Sequence, residues 1–358
     1  PKAADQASVS ASSGHESPIL AAATAPANGL VAGSLADPVG SSVASPPAIP
    51  MLSGPYMLAD GPHAVTEVPN VVLHDGRRNK DLHLRVIFPD GRGPYPVIVF
   101  SPGDGAFPTC CDALTRHWAT YGYVTLQPSH DDSTSERPKA GQEGNSLHAA
   151  LNDPALWQSR PRDISFLLDS LRDLQDRIPA LAGKIDAQHI GVGGHAMGAF
   201  TADVLAGAVV DLPDRSDASF ADPRVKAVLL LSPPGPGEFG LTSHSWEHVS
   251  LPLLSMTGSL DLGAGKQSPE WREIPFERSQ PGDKYQVFIQ GADHTSFVTA
   301  KTFLPGRPAH SESVLGYTNS ASLAFWDAYL KADPEAKIYL QSGALSDFSH
   351  GAVKLSRR

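Results

Sequence analysis

Ile190-Gly191-Val192-Gly193-Gly194-His195-Ala196-Met197-Gly198 is the stretch that decides how this chain folds. A strand is expected over His189–Gly194 and a helix of small residues over Met197–Ala208, with a sharp turn between them. With Ser in place of Ala196 the centre would read Gly-His-Ser-Met-Gly, the strand–turn–helix elbow that presents a nucleophile at the top of a sheet. The glycines have a steric reason. The central residue of such a turn is forced into a strained backbone conformation, and side chains two positions to either side would collide with it. The helix N-terminus is then aimed at negative charge developing beside the turn.

Alanine cannot attack a carbonyl. Either a serine has been deliberately exchanged for alanine, or the chain is a natural binding protein that has lost catalysis. A lineage freed from catalysis would also be free to lose the partner groups, so those were sought next. In an elbow protein of this kind the acid follows a late strand and the histidine follows the last one, in the order nucleophile, acid, base. Leu253–Thr257 is an apolar strand leading through Gly258 to Asp261, and Phe288-Ile289-Gln290 leads to His294. His294 would take the proton of a serine hydroxyl and pass it to the leaving alcohol, while Asp261 would orient the ring and stabilise its imidazolium. Asp293 is a rival acid, but as the neighbour of His294 it would point elsewhere. Two backbone N–H groups would hold the oxyanion, one from Met197 and one from Asp104 in the loop Ser101-Pro102-Gly103-Asp104-Gly105-Ala106-Phe107. An Asp104 carboxylate beside that hole would repel anionic substrates and favour neutral esters; the plainer reading is a solvated turn acid facing away. Phe107, His130, Trp157 and His195 are candidate pocket residues, each of a type more often found simply in a core or at a surface.

Working outward, strands alternate with helices from about residue 66. Val68–Leu73 and Leu82–Phe88 alternate as β runs across the turn Asp75-Gly76, and Pro96–Phe100 is apolar throughout, as in a strand buried on both faces. A helix is expected from about Asp112 to Tyr121, then a strand over Tyr123–Gln127. Residues 129 to 160 are polar and read as a long loop or small lid. One amphipathic helix follows, carrying Ile164, Leu167, Leu168, Leu171, Leu174 and Ile178 on one face, with Pro161 near its first turn and Pro179 at its end. Val225–Leu231, Leu253–Thr257 and Tyr285–Gln290 complete the expected strands. A last helix with Leu323, Trp326, Tyr329 and Leu330 precedes Pro334. This alternation predicts one doubly wound, mostly parallel sheet of the α/β class, flanked by helices, spanning 56–358.

Residues 1 to about 55 are rich in Ala, Ser, Pro and Gly and read as an extended arm. The stretch opens at Pro1, and a segment of this composition commonly follows a signal sequence, so a secreted or periplasmic location is the expectation. A formal net charge of -10 over 358 residues, with no basic run, argues against nucleic acid as a partner. No apolar run reaches the length of a membrane span. The two cysteines, Cys110 and Cys111, are adjacent, which excludes a long-loop disulfide and leaves a thiol zinc site without enough ligands. His244-Ser245-Trp246-Glu247-His248 matches an inverted zinc-protease motif, but the prolines around it oppose the helix that chemistry requires. Gly191-Val192-Gly193 lacks the third glycine and later acid of a dinucleotide site. Neither a metal nor a cofactor is expected.

Tyr95–Gly103 with Gly105-Ala106-Phe107 resembles the oxyanion loop of platelet-activating-factor acetylhydrolases, although those have His where Pro102 stands. Pro102-Gly103 is instead similar to bacterial polyester-cleaving cutinases. Ile185-Asp186, Ile190-Gly191-Val192, the elbow, and Ser245-Trp246 leading to Pro252 resemble both. From about 66 to 341 the chain is similar to dienelactone-hydrolase-like α/β-hydrolase esterases. The resemblance implies a serine carboxylesterase without a cofactor, acting on a small-molecule or polymeric ester, with Ser where Ala196 stands. The cutinases' C-terminal disulfide is missing and the 129–160 segment is longer, which weighs against polymer cleavage. A non-catalytic ligand-binding protein and an acyltransferase on the same fold are the alternatives.

Overall fold

Runs of Val, Ile, Leu and Phe too short for helices build the central sheet. The computed structural model describes residues 54–104, 106–133, 152–298 and 310–358. Its first elements are β1 (Val65–Asp75), β2 (Lys80–Pro89), β3 (Tyr95–Ser101), α1 (Asp112–Thr120) and β4 (Val124–Ser129). Next come α2 (Pro154–Asp169), α3 (Leu171–Arg177), β5 (Ile185–His195), α4 (Met197–Leu205), β6 (Val210–Leu212), β7 (Arg215–Ala218) and β8 (Val225–Leu231). The chain continues with β9 (Leu253–Gly258), α5 (Ile274–Arg278), β10 (Lys284–Ile289), α6 (His310–Leu330), α7 (Pro334–Gln341), α8 (Ala344–Phe348) and β11 (Val353–Arg357).

The large sheet has the order β1-β2-β4-β3-β5-β8-β9-β10-β11. Its centre, β4 through β10, is parallel, whereas the edge pairings β1–β2, β2–β4 and β10–β11 are antiparallel. Strand residues alternate between faces, as the period of two demands. Val97 and Val99 of β3 join a core with Ile164, Leu167, Phe200 and Val204 from α2 and α4. Ile98 and Phe100 join the opposite core with Leu114 and Trp118 of α1 and Phe325 and Trp326 of α6. Both faces of the sheet are therefore covered by helices, which explains why the central strands are apolar throughout rather than alternating. β3 lies between β4 and β5, so sheet building reverses direction there. In open α/β sheets the crevice beyond the strand ends at such a reversal is where ligands bind. The loop after β3 and the turn after β5 both open onto it.

Several expectations are corrected. The helix after the 129–160 segment begins at Pro154, so residues 154–160 are helical, and residues 134–151 of the segment lie outside the described residues. Asp153 caps this helix by accepting from the Ala155 amide at 2.9 Å, with Pro154 beside it in the first turn, and Pro161 sits inside the helix rather than near its start. The amphipathic stripe is carried by two helices divided at Ser170, not by one. The strand set does not end at Gln290, because β11 pairs with β10 and Val353 stands opposite Ile289. The hairpin β6–β7 was likewise not expected. β1 is longer than expected and is kinked by a register shift between Val68 and Val71 around Pro69, a residue tolerated there because β1 is an edge strand. The expected arm, but for Gly54 and Pro55, lies outside the described residues. Cys110 and Cys111 are free and fully buried where α1 begins. Among the described residues no helix is long and apolar enough to cross a membrane.

Candidate active site

Ala196 forms the turn between β5 and α4 with φ 52° and ψ -115°. A non-glycine residue held there stores strain on the order of 1–3 kcal/mol. Its neighbours enforce the conformation: the Ala196 amide donates to the Leu231 carbonyl at 3.0 Å, and its carbonyl accepts from Phe200 at 3.1 Å. A Cβ on Gly194 would stand 2.2 Å from the Gly198 carbonyl, and one on Gly198 would stand 2.0 Å from the Ser101 oxygen. Strand, helix and the loop after β3 thus meet backbone to backbone, and the Gly-x-Ala-x-Gly spacing is a packing requirement.

Asp261 and His294 leave β9 and β10 on the same side. His294 Nδ1 donates to Asp261 Oδ1 at 3.1 Å, and Oδ2 accepts from Ser232 Oγ at 2.6 Å and Thr257 Oγ1 at 2.9 Å. Asp261 is fully buried while the His294 side chain keeps 39% of its surface exposed, so the ring joins a buried acid to open space. Burial opposes ionisation of Asp261, but the His294 hydrogen bond and the charges of Arg272 and His294 outweigh it and hold the carboxyl below its ordinary range. Asp293 instead accepts from the Thr295 amide and the Ser296 hydroxyl.

His195 is buried, and its Nε2 donates to the His294 carbonyl at 2.8 Å, with the two rings 4.7 Å apart. Burial, aided by the nearby charge of His294, pushes its pKa down to about 3, so it stays a neutral donor. His195 therefore fastens the elbow to the loop that carries His294.

A Cβ on Gly103 would come within 3.8 Å of the Ala196 Cβ, so the loop after β3 lies against the elbow. Asp104 is half-buried rather than a solvated turn acid, and burial raises its carboxyl despite the charges of Arg160 and His294. Phe107 is partly exposed on the same loop, and Gly105 lies outside the described residues. Met197 opens α4, where first-turn N–H groups have no partner within the helix.

Two further residues expected at the pocket, Trp157 and His130, are buried. Trp157 is in the core, edge-on to Phe239 at 6.4 Å. His130 is buried beside the end of β3, with Nδ1 donating to Asp163 Oδ2 and Nε2 accepting from Ser101 Oγ, both at 2.9 Å. These three repeat the order serine, histidine, acid, and Ser101 and Asp163 are wholly buried. Lys80 and Arg78 also bind Asp163, and these contacts with His130 prevail over burial and hold its carboxyl at about 2. Sequence reasoning missed Arg160 and Arg272, both buried. Arg160 donates to the Pro102 carbonyl at 2.7 Å and the Gly103 carbonyl at 3.1 Å and pairs with Asp132, so it holds the loop after β3 in place. The motif His244–His248 lies in turns, with His244 paired to Glu247 at 2.7 Å on the surface. Compared with protein-family models and with curated proteins, the chain matches none.

Proposed function

We propose that the chain is an α/β-hydrolase of the dienelactone-hydrolase-like esterase kind, a serine-type carboxylic ester hydrolase whose nucleophile position is held by alanine in this sequence. The observation that carries this reading is the strained turn at Ala196, next to an Asp261–His294 pair joined at 3.1 Å. Backbone strain at a non-glycine residue is maintained only where surroundings enforce it, and it concentrates at reactive sites.

With a serine hydroxyl at position 196, His294 Nε2 accepts its proton as the oxygen bonds to the ester carbonyl carbon. The carbonyl oxygen becomes an oxyanion facing the Met197 and Asp104 amides. Collapse breaks the bond to the alcohol, which leaves with the proton from His294, and an acyl-enzyme remains. Water, deprotonated by His294, then releases the acid by the same steps. Asp104 stands on the loop that would face the oxyanion, and an acid there favours neutral over anionic esters. With alanine, binding persists and the first bond cannot form.

The test is Ala196→Ser, assayed on short p-nitrophenyl esters. Turnover in the variant and none in the parent is expected. A folded variant that releases no p-nitrophenol overturns the reading and leaves the chain a binding protein.

A further inference from the structure

Asp261 has a partner that a serine–histidine–acid mechanism does not require. Arg272 lies in a 3₁₀ turn, Pro269–Glu273, that leads into α5, and it is 4% exposed. Its Nε stands 2.8 Å from Asp261 Oδ1, the same oxygen that His294 Nδ1 reaches at 3.1 Å. Nε also donates to the Asp261 carbonyl at 3.0 Å, Nη1 to the carbonyls of Ser232 at 2.9 Å and Pro233 at 3.1 Å, and Nη2 to that of Leu262 at 2.8 Å. One side chain thereby ties the loop after β8 to the loop after β9. It also brings a permanent positive charge to the carboxylate oxygen facing the histidine, since a guanidinium does not titrate in this range.

We infer that Arg272 is a positioning residue that sets the working pH of the site: by sharing Asp261 Oδ1 with His294 Nδ1 it weakens the hold of the acid on the imidazolium. The assignment of acid and base rests on the proposed hydrolase reading, whereas the sharing of charge does not. An opposite charge within a few ångströms favours protonation of a histidine and a like charge disfavours it. Here Asp261 and Arg272 act on His294 with opposite signs from one side. Among the described residues, the other charged or titratable groups that act on the ring include His195 against it, Asp104 from the loop after β3 and Glu238 from the connection between β8 and β9. All of these remain when Arg272 is changed.

The experiment follows the His294 imidazole by NMR titration in the full chain as it stands, with alanine at 196. A His294→Gln variant identifies the signal. Arg272→Gln is expected to raise the titration midpoint by about 1–2 pH units. Arg272→Lys keeps a cation but cannot reach Oδ1 and the four carbonyls together, so it raises the midpoint in the same direction by less. If Arg272→Gln does not fold, the lysine variant decides alone. An unchanged midpoint in a folded variant overturns the inference, because a merely structural staple would alter stability without moving it. In the Ala196→Ser background the acid limb of the kcat/KM profile moves up with the midpoint. Midpoint movement without activity in Ala196→Ser upholds the charge sharing and sinks only the hydrolase reading.

Discussion

At the scale of single residues, the site is governed by what cannot be there. Gly198 packs its Cα against the Ser101 carbonyl so closely that a methyl group would stand 2.0 Å from the oxygen. Gly198→Ala is therefore expected to destabilise the fold by about 3 kcal/mol or more, since overpacking against fixed backbone has no cheap relief. Gly76, with nothing within 4 Å of a built Cβ, is the control, and Gly76→Ala stays within about 0.5 kcal/mol in urea unfolding. Equal stability for the two variants would contradict this account of the elbow. The elbow was legible because these exclusions are written as glycines at fixed spacing. The burial of His130 was not: it is fixed by Ser101 and Asp163, which lie 29 and 33 residues away. Nothing local distinguishes a buried relay histidine from one that meets substrate.

At the scale of elements, α2 holds the loop after β3 through Arg160. In the Ala196→Ser background, Arg160→Met releases the Pro102 and Gly103 carbonyls and leaves Asp132 without its partner. A drop in kcat of about 10²–10³, the cost of misplacing one oxyanion donor, is the expected outcome in steady-state assays. A folded variant with an unchanged kcat would show that the loop holds itself. The central strands could be read because burial on both faces makes them apolar throughout, and Asp261 and His294 could be read because they follow such strands. Arg160 and Arg272 could not, because a charged side chain in an isolated sequence reads as surface and only its buried partners reverse that. The start of α2 was lost for a similar reason. Asp153-Pro154 is a helix-opening pair, but the polar stretch before it drew the boundary too late. β11 carries its own short alternation, Val353-Lys354-Leu355, yet an edge strand after three helices has no context until β10 is in place.

At the scale of the whole molecule, two buried groups bend stability with pH in opposite directions. His195 is held neutral down to about pH 3, against an ordinary value of 6.5. Between those values the unfolded chain binds the extra proton, so the contribution of His195 to stability is lost as pH falls through that window. Asp203, raised to about 7 by burial despite accepting from Trp246 Nε1, behaves inversely. Its folded form binds the extra proton from about pH 4 to 7, so its contribution falls as pH rises. His195→Asn is expected to make unfolding free energy fall less on acidification from pH 6.5, and Asp203→Asn to make it fall less on alkalinisation toward pH 7. Each change is at most roughly 1.4 kcal/mol per pH unit. Urea titrations at pH 4.5, 6 and 7.5 check both, and slopes that do not respond would refute the burial argument. The same sheet that buries these groups brings the β3 loop, the elbow, Asp261 and His294 to the C-terminal end of its parallel strands. The most direct test of their joint purpose is covalent capture. Treated with a fluorophosphonate and digested, Ala196→Ser should carry one phosphonyl group on the peptide containing position 196. The parent should carry none there, and adding His294→Ala should slow labelling by about 10³-fold or more. A folded Ala196→Ser chain that stays unlabelled at that peptide would contradict the account.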